Sequence, residues 1–246
     1  VLGAIADFEL KKESIIFPPH NTAMNRVKTL GFLCAAFFGF ASSPVNAQLS
    51  LKTGYDISLV TDPGLNQVVS LFSSSQPYKK PFPRLTWMHG FATGLRYKSE
   101  DQAVELNYDI LFQKLKARVD STETVPAYTD KILLSVQSIG LGYQYTGDVI
   151  GFGTELQYQW YSTKVDLDQA SAPYRHIQDM LSMKVYLMIT LSGGGPVDAA
   201  LQPYFLFPFE NYDLDPLSMY LNQETGYEEK KWTRFGLSVL FYNLVD

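Results

Sequence analysis

A period of two dominates this chain. Apolar and polar side chains alternate through eight stretches, at 49–59, 87–98, 103–116, 132–146, 151–163, 181–192, 200–211 and 232–244. Neighbouring residues of an extended strand project to opposite sides, so each stretch carries one apolar and one polar face. Each also reaches the ~9 to 11 residues with which a tilted strand crosses hydrocarbon. The connections are sorted just as strictly: those at 60–86, 117–131, 164–180 and 212–231 are long, whereas 99–102, 147–150 and 193–198 are short. Ser99-Glu100-Asp101-Gln102, Thr146-Gly147-Asp148 and Gly193-Gly194-Gly195-Pro196 are dense in residues that tolerate chain reversal. This rhythm predicts an up-and-down sheet with tight turns at one end and extended loops at the other. No helix-length apolar run follows Ala47, so a chain of this kind that spans a membrane must do so with strands closed into a barrel.

The last stretch shows the two faces clearly. In Arg234-Phe235-Gly236-Leu237-Ser238-Val239-Leu240-Phe241, the residues Phe235, Leu237, Val239 and Phe241 share one side and Arg234, Gly236, Ser238 and Leu240 the other. Outward-facing groups such as Leu51, Tyr55 and Ile57, or Met183, Val185 and Leu187, continue the same apolar face, and none of them carries a charge. A charged side chain facing lipid at mid-depth costs ~2 to 4 kcal/mol, so this absence is the expected filter. Aromatics gather toward strand ends at Tyr97, Tyr143, Tyr145, Trp160, Phe209 and Trp232, where interfacial girdles are expected. Facing inward are Lys52, Asp56, Arg96, Glu105, Asp109, Glu155, Lys184, Glu210 and Arg234, nearly balanced in sign. A barrel of about eight strands is only wide enough inside to be filled by side chains, so these groups are expected to pair across it. Arg234 is expected to meet a carboxylate among Asp56, Glu105, Asp109, Glu155 and Glu210. The fold class that follows is all-β: an eight-stranded antiparallel up-and-down transmembrane β-barrel with a polar, side-chain-filled lumen.

The N-terminal region reads differently. Met24-Asn25-Arg26-Val27-Lys28 precedes the apolar stretch 30–40 and then Val45-Asn46-Ala47. A basic start, a short apolar core and a small-x-small ending are the parts of a secretory signal peptide, cleaved before Gln48. The expected organisation is therefore an upstream leader at 1–23, a signal peptide at 24–47 and a barrel at 48–246. The only cysteine, Cys34, falls inside the signal core, so the mature chain is expected to hold no disulfide, thiolate metal site or cysteine nucleophile. A formal net charge of −5 argues against a nucleic-acid surface.

Few residues suggest chemistry. His89 sits on the lipid-facing register of the second stretch, and His176 falls in the connection 164–180. A nucleophile and its base must come within hydrogen-bond reach, and no spacing brings these histidines to one, so no enzymatic activity and no cofactor is expected. Asp213 and Asp215 with Glu224, Glu228 and Glu229 resemble oxygen ligands for calcium but suit an ordinary solvated loop better. The basic, aromatic run Tyr78-Lys79-Lys80-Pro81-Phe82-Pro83-Arg84 suits lipopolysaccharide phosphates or an ordinary loop rim. Pro203 and Pro208 each remove a ladder hydrogen bond from a strand that has no free edge, which predicts a bulge, an open seam or the end of pairing there.

Taken together, the signal peptide, the alternating connections and the last strand resemble the small outer-membrane β-barrel families, in the manner of the OmpA membrane domain, OmpX and OmpW. The spacing of Arg234, Gly236, Val239 and Phe241 resembles the signal by which the barrel assembly machinery recognises its clients. The resemblance is one of architecture and implies a Gram-negative outer membrane, both termini in the periplasm, and contact with outer-membrane lipid and lipopolysaccharide. It implies a non-enzymatic barrel that displays long extracellular loops for envelope integrity, adhesion or membership of an envelope complex with protein partners. A narrow channel for small or apolar solutes and a lipid-modifying enzyme are the alternatives, with a soluble periplasmic barrel behind them.

Overall fold

A computed structural model of the chain describes residues 47–60, 62–121, 126–168, 170, 173–191, 197–223 and 231–244. The expected leader 1–23, the expected signal peptide up to residue 46, the turn 193–196 and Glu224, Glu228 and Glu229 lie outside these residues. The strands are β1 (Ala47–Val60), β2 (Trp87–Ser99), β3 (Gln102–Val119), β4 (Tyr128–Tyr145), β5 (Ile150–Asp166), β6 (Tyr174–Leu191), β7 (Val197–Pro208) and β8 (Arg234–Leu244). Helix α1 (Pro63–Ser75) follows β1, and the short α2 (Asp215–Tyr220) precedes β8. Every strand pairs antiparallel with its sequence neighbours, and β1 pairs with β8 to close the barrel. Closure leaves no unpaired strand edge, the condition for a sheet surrounded by hydrocarbon.

The alternation read from the sequence is the pleat of this barrel. Leu51, Ile57, Phe91, Leu156, Leu187, Phe235 and Phe241 are exposed on its outer face. Lys52, Asp56, Glu105, Asn107, Glu155 and Lys184 are buried inside it. The start of β1 pairs with the end of β2 and the end of β8 pairs with β1 near Ser50, so both chain ends of the barrel lie at its tight-turn end.

Four strands run further than an uncharged belt would suggest. β3 continues to Val119, β4 begins at Tyr128, β5 continues to Asp166 and β6 begins at Tyr174. Alternation persists there while the outward residues change from apolar to charged: Lys114, Lys116, Lys131, Lys164 and Arg175 are outside, and Leu115, Ala117, Ile132 and Val165 are buried inside. His176, expected in a loop, therefore lies in β6 opposite Thr163. Two inward or rim assignments also change. Glu210 follows the end of β7 and is exposed, because the strand stops at Pro208 before the alternation can turn it inward. Trp232 precedes β8 and is buried, packed at a tilt against Tyr212 with centroids 4.6 Å apart, so it is no part of an interfacial girdle.

The prolines of β7 have a limited effect. Pairing with β6 lapses between Tyr186↔Tyr204 and Ile189↔Leu201, the positions beside Pro203, and resumes in the same register, so no residue is inserted as a bulge. On the other side Pro203 keeps its place opposite Leu237. The ladder is interrupted on one edge while the barrel stays closed.

One glycine is demanded by packing. Tyr204 and Gly236 are cross-strand partners, and the Tyr204 ring lies so closely over Gly236 that a Cβ there would overlap it. The ring needs that position to reach Asp56, to which its hydroxyl donates at 3.0 Å. Gly236→Ala is expected to lower the unfolding free energy in detergent by ~1 to 3 kcal/mol, the usual cost of overpacking. Adding Tyr204→Ala should remove most of that increment in urea titrations, because the steric conflict is then gone.

Candidate functional site

Strand alternation brings four cations, Lys52, Arg96, Lys184 and Arg234, and four carboxylates, Asp56, Glu105, Asp109 and Glu155, into the lumen, all of them buried. Lys52 Nζ donates to Glu105 Oε2 at 2.7 Å, and Arg96 Nε lies 3.4 Å from Glu105 Oε1. Arg96 is also held over the Tyr242 ring at 4.6 Å. Lys184 Nζ sits 4.0 Å from both Asp109 and Glu155 and 4.5 Å above the Tyr204 ring. Neutral amides join these pairs: Asn107 donates to Glu155 at 2.9 Å, and Gln157 donates to Glu155 at 2.8 Å and to Asp109 at 3.2 Å. Burying charges of both signs is costly unless opposite charges and hydrogen-bonding groups surround them, which this network does for most of its members.

Of the residues assigned to this network from the sequence, Glu210 is excluded by its exposure, as described above. Arg234 is placed inside but forms no ion pair among the described residues; its guanidinium lies 5.8 Å from the centre of the Tyr161 ring. Asp56 accepts from Tyr204, with both carboxylate oxygens 3.0 Å from that hydroxyl, and Arg234 acts on it only as a neighbouring charge without an ion pair among the described residues. Gly236, Val239 and Phe241 lie in β8 with Val239 and Phe241 on its outer face.

The network fills its part of the barrel. A void of about 10 Å³ remains among Asp56, Asp109, Lys184, Tyr204 and Arg234, no more than the room one water needs. Toward the tight turns the lumen opens into a hollow of about 420 Å³ lined by Arg96, Lys98, Glu100, Asp101, Met188 and Tyr242.

The other half of the lumen is apolar. Leu111 and Leu115 of β3, Ile132, Leu134 and Val136 of β4, and Tyr161 and Val165 of β5 face inward and are buried. Helix α1 descends onto them with Leu65, Val68, Val69 and Phe72, the spacing of one helical face. Tyr212, Leu214, Leu217 and Leu221, around α2, close the remaining side. The helix starts where Asp62 caps it: Asp62 Oδ1 accepts from the Leu65 amide at 2.9 Å, and Pro63 occupies the first turn. Asn66 ties the same turn to the chain leading into β2, accepting from the Leu85 amide at 2.7 Å and donating to its carbonyl at 3.0 Å.

The sequence carries the signals of this apolar plug on both of its sides. In Ile110-Leu111-Phe112 and Ile132-Leu133-Leu134 both registers are apolar, which signals a strand with lipid outside and a hydrophobic core inside. Asp62-Pro63 followed by apolar residues at 65, 68, 69 and 72 is likewise a helix start with one buried face.

The basic run of the first long loop is partly absorbed by the lid. Tyr78 donates to Asp130 and packs edge-on against Phe82, while Lys79 pairs with Asp120 at 2.5 Å on the surface. Backbone bonds between Lys80 and Arg118 pin this segment to the end of β3. On the outer wall His89 lies between Trp87 and Phe112, with centroids 5.2 and 4.5 Å away, and its Nδ1 is 2.6 Å from the Tyr55 hydroxyl. His176 is half-buried near Tyr212, and burial holds its imidazole below the ordinary value against the opposing pull of Asp213. Among the described residues, no cluster of three or more histidine, cysteine or carboxylate side chains is arranged to hold a metal ion.

No protein-family model matches the chain, and no curated protein matches its sequence. Several solved structures are similar in shape. The Ail attachment invasion locus protein of Yersinia pestis aligns at 11% identity and a TM-score of 0.45, covering 81% of this chain and 99% of its own. Neisserial surface protein A aligns at 9% and 0.41 over 81% and 99% of the two chains, and the N-terminal β-barrel domain of Pseudomonas aeruginosa OprF at 11% and 0.38 over 80% and 99%. The barrel itself rests on the strand pairing of this chain.

Two predictions follow from the interior. Glu105→Gln leaves Lys52 and Arg96 buried without their shared carboxylate and is expected to cost ~3 to 5 kcal/mol of stability in detergent, measured by urea unfolding. Burial pushes the Asp62 carboxyl up from 3.8 to about 6, against the stabilising pull of the Leu65 and Gly64 amides. Because the folded value lies above the unfolded one, the charged form is penalised in the docked lid. Lid stability should therefore rise as pH falls from above 6 toward 4, and Asp62→Asn should flatten that dependence. Hydrogen exchange of the α1 amides, corrected for intrinsic rates, reads both effects.

Proposed function

We propose that this chain is a non-conducting outer-membrane β-barrel of a Gram-negative bacterium, with its termini in the periplasm and its packed lid presented at the cell surface. The observation that carries this reading is a lumen closed twice inside an uncharged apolar outer wall. The paired charges close it above the hollow at its tight-turn end, and α1 with the segment around α2 fills its long-loop half. On β1 and β2 the outward residues between the rim at Leu59 and Trp87 and the rim at Leu49 and Tyr97 include no charged side chain. That pattern suits hydrocarbon and has no purpose in water.

A barrel so closed works by what it displays. Its lid is tied to β3 and β4 through Lys80, Tyr78 and Asp130 and is packed on a hydrophobic core, so it offers a fixed surface for contact with lipopolysaccharide or envelope proteins. The C-terminal pattern at Arg234, Gly236, Val239 and Phe241 supports recognition by the assembly machinery. A non-catalytic role agrees with the setting of His89, whose Nδ1 is taken by Tyr55 and whose ring is enclosed by aromatics.

In planar bilayers the refolded mature chain is expected to give no steady current. Sustained ohmic conductance from protein that shows heat-modifiable migration would overturn the closed-lumen reading. Lipid A extracted from cells carrying wild-type protein or His89→Ala should be identical, and a His89-dependent change in its composition would replace the display role with an enzymatic one.

A further inference from the structure

Beyond the apolar wall the four long strands carry a second, different outer face. On β3 to β6, above the level of Trp160 and its cross-strand partner Asp179 and beyond Ser162 and Ile177, the basic outward positions are Lys114, Lys116, Lys131, Lys164 and Arg175, all at least partly exposed, with Asp166 as the acidic residue of β5 on the same face. The register places like charges opposite one another twice: Lys116 faces Lys131, and Lys164 faces Arg175. Directly opposed like charges on one face of an antiparallel pair are destabilising. Among the described residues the ion pair made by this group is that of Lys131 with Asp166, at 3.9 Å, leaving a net surplus of positive charge. The next outward residue up, Arg118, pairs with Asp120 at 3.4 Å and lies above the patch. Leu133 lies between Lys114 and Lys164 in the register, 38% exposed, so the cations surround an apolar spot.

Nothing in the fold requires this arrangement. Two cross-strand repulsions in a rigid sheet, in a chain whose net charge is negative, lower stability in isolation and favour an anion that bridges them. The place is specific too: the wall rises from the end of the hydrocarbon-facing belt, at the depth where lipid headgroups carry their phosphates. We propose that this wall binds the phosphate groups of anionic glycolipid headgroups in the leaflet on the lid side, with Lys116, Lys131, Lys164 and Arg175 as the phosphate-holding residues and Leu133 against the lipid body. The inference rests on the membrane reading above and adds to it a defined lipid site on one side of the barrel.

The test uses the folded mature chain in dodecyl maltoside, with lipid A carrying both phosphates, enzymatically dephosphorylated lipid A, and heparin as a soluble polyanion. The variant combines Lys116→Gln, Lys131→Gln, Lys164→Gln and Arg175→Gln. Wild type should bind phosphorylated lipid A about tenfold or more tightly than the variant does, with an affinity that falls as salt rises. Dephosphorylated lipid A should bind both proteins equally weakly. Without lipid, the variant should unfold at the same or higher urea concentration, since its like-charge pairs are gone; a merely structural role for these side chains predicts the reverse. Equal binding of phosphorylated lipid A by the two proteins overturns the proposal, and heparin binding as tight as lipid A reassigns the wall to a soluble polyanion. Both proteins are also reconstituted into vesicles and washed with carbonate. Loss from the vesicles defeats the membrane reading itself, whereas retained protein without a binding difference defeats the lipid site alone.

Discussion

The pairing of β1 with β8 is the constraint on which the rest of this molecule depends. Once Val60 meets Arg234 and Ser50 meets Leu244 across that seam, every strand has two neighbours and the sheet has no edge. Two consequences are then forced together. The outer wall can face hydrocarbon, because its backbone groups are satisfied within the sheet. The inner wall encloses a space of fixed width that side chains must fill, since an eight-stranded barrel is too narrow to leave a wide channel. Gly236 shows how tightly the two are coupled: it carries the ladder of β8 past the seam while leaving room for the Tyr204 ring that holds Asp56.

The chain fills that space by two different physical means, divided along the barrel axis. In the tight-turn half, charges balance one another, and amides such as Asn107 and Gln157 use the NH2 group of one side chain to link one carboxylate to the next. Such a network is directional: its geometry fixes which strand meets which, and removing one member leaves another buried and unpaired. In the long-loop half the filling is hydrophobic and non-directional, and it comes partly from outside the barrel, through α1. Burying Leu65, Val68, Val69 and Phe72 in the same core as the inward residues of β3, β4 and β5 stabilises the lid and the upper barrel at once. Arg234 and Tyr161 stand at the border between the two halves, with the guanidinium 5.8 Å from the centre of the aromatic ring.

Period-two patterning made the strands, their order and the two faces legible, because a strand's side-chain geometry is a local property of the sequence. What it could not supply was anything set by contacts between distant segments. Glu210 continues the alternation on paper, yet the end of pairing at Pro208 puts it in solvent. Trp232 has the composition of an interfacial residue and is instead enclosed by Tyr161 and Tyr212. Treating the first long connection as surface loop hid a capped amphipathic helix, although its apolar residues at 65, 68, 69 and 72 were in plain view. The doubly apolar runs of β3 and β4 carried the matching half of that message. Neither is decisive alone, since an apolar helix face needs a partner and an apolar inner wall needs a lid; only together do they specify the plug.

The same reasoning explains why the strands seemed to end too early. Reading for lipid equates a strand's end with the first outward charge, and Lys131 and Lys164, each just outside an alternating stretch, satisfy that rule. The pleat does not end there: Leu115, Ala117, Ile132 and Val165 continue to point inward. The inner face thus reports where the strand stops, while the outer face reports what surrounds it. Where the outer residues turn from Leu, Ile and Phe to Lys and Arg with no change in the inner pattern, the protein has left hydrocarbon without leaving the barrel. The boundary between those two outer faces, at the height of Tyr158, Trp160 and Asp179, is therefore encoded by a change in one register alone. That change locates the depth of a bilayer on a structure that contains none.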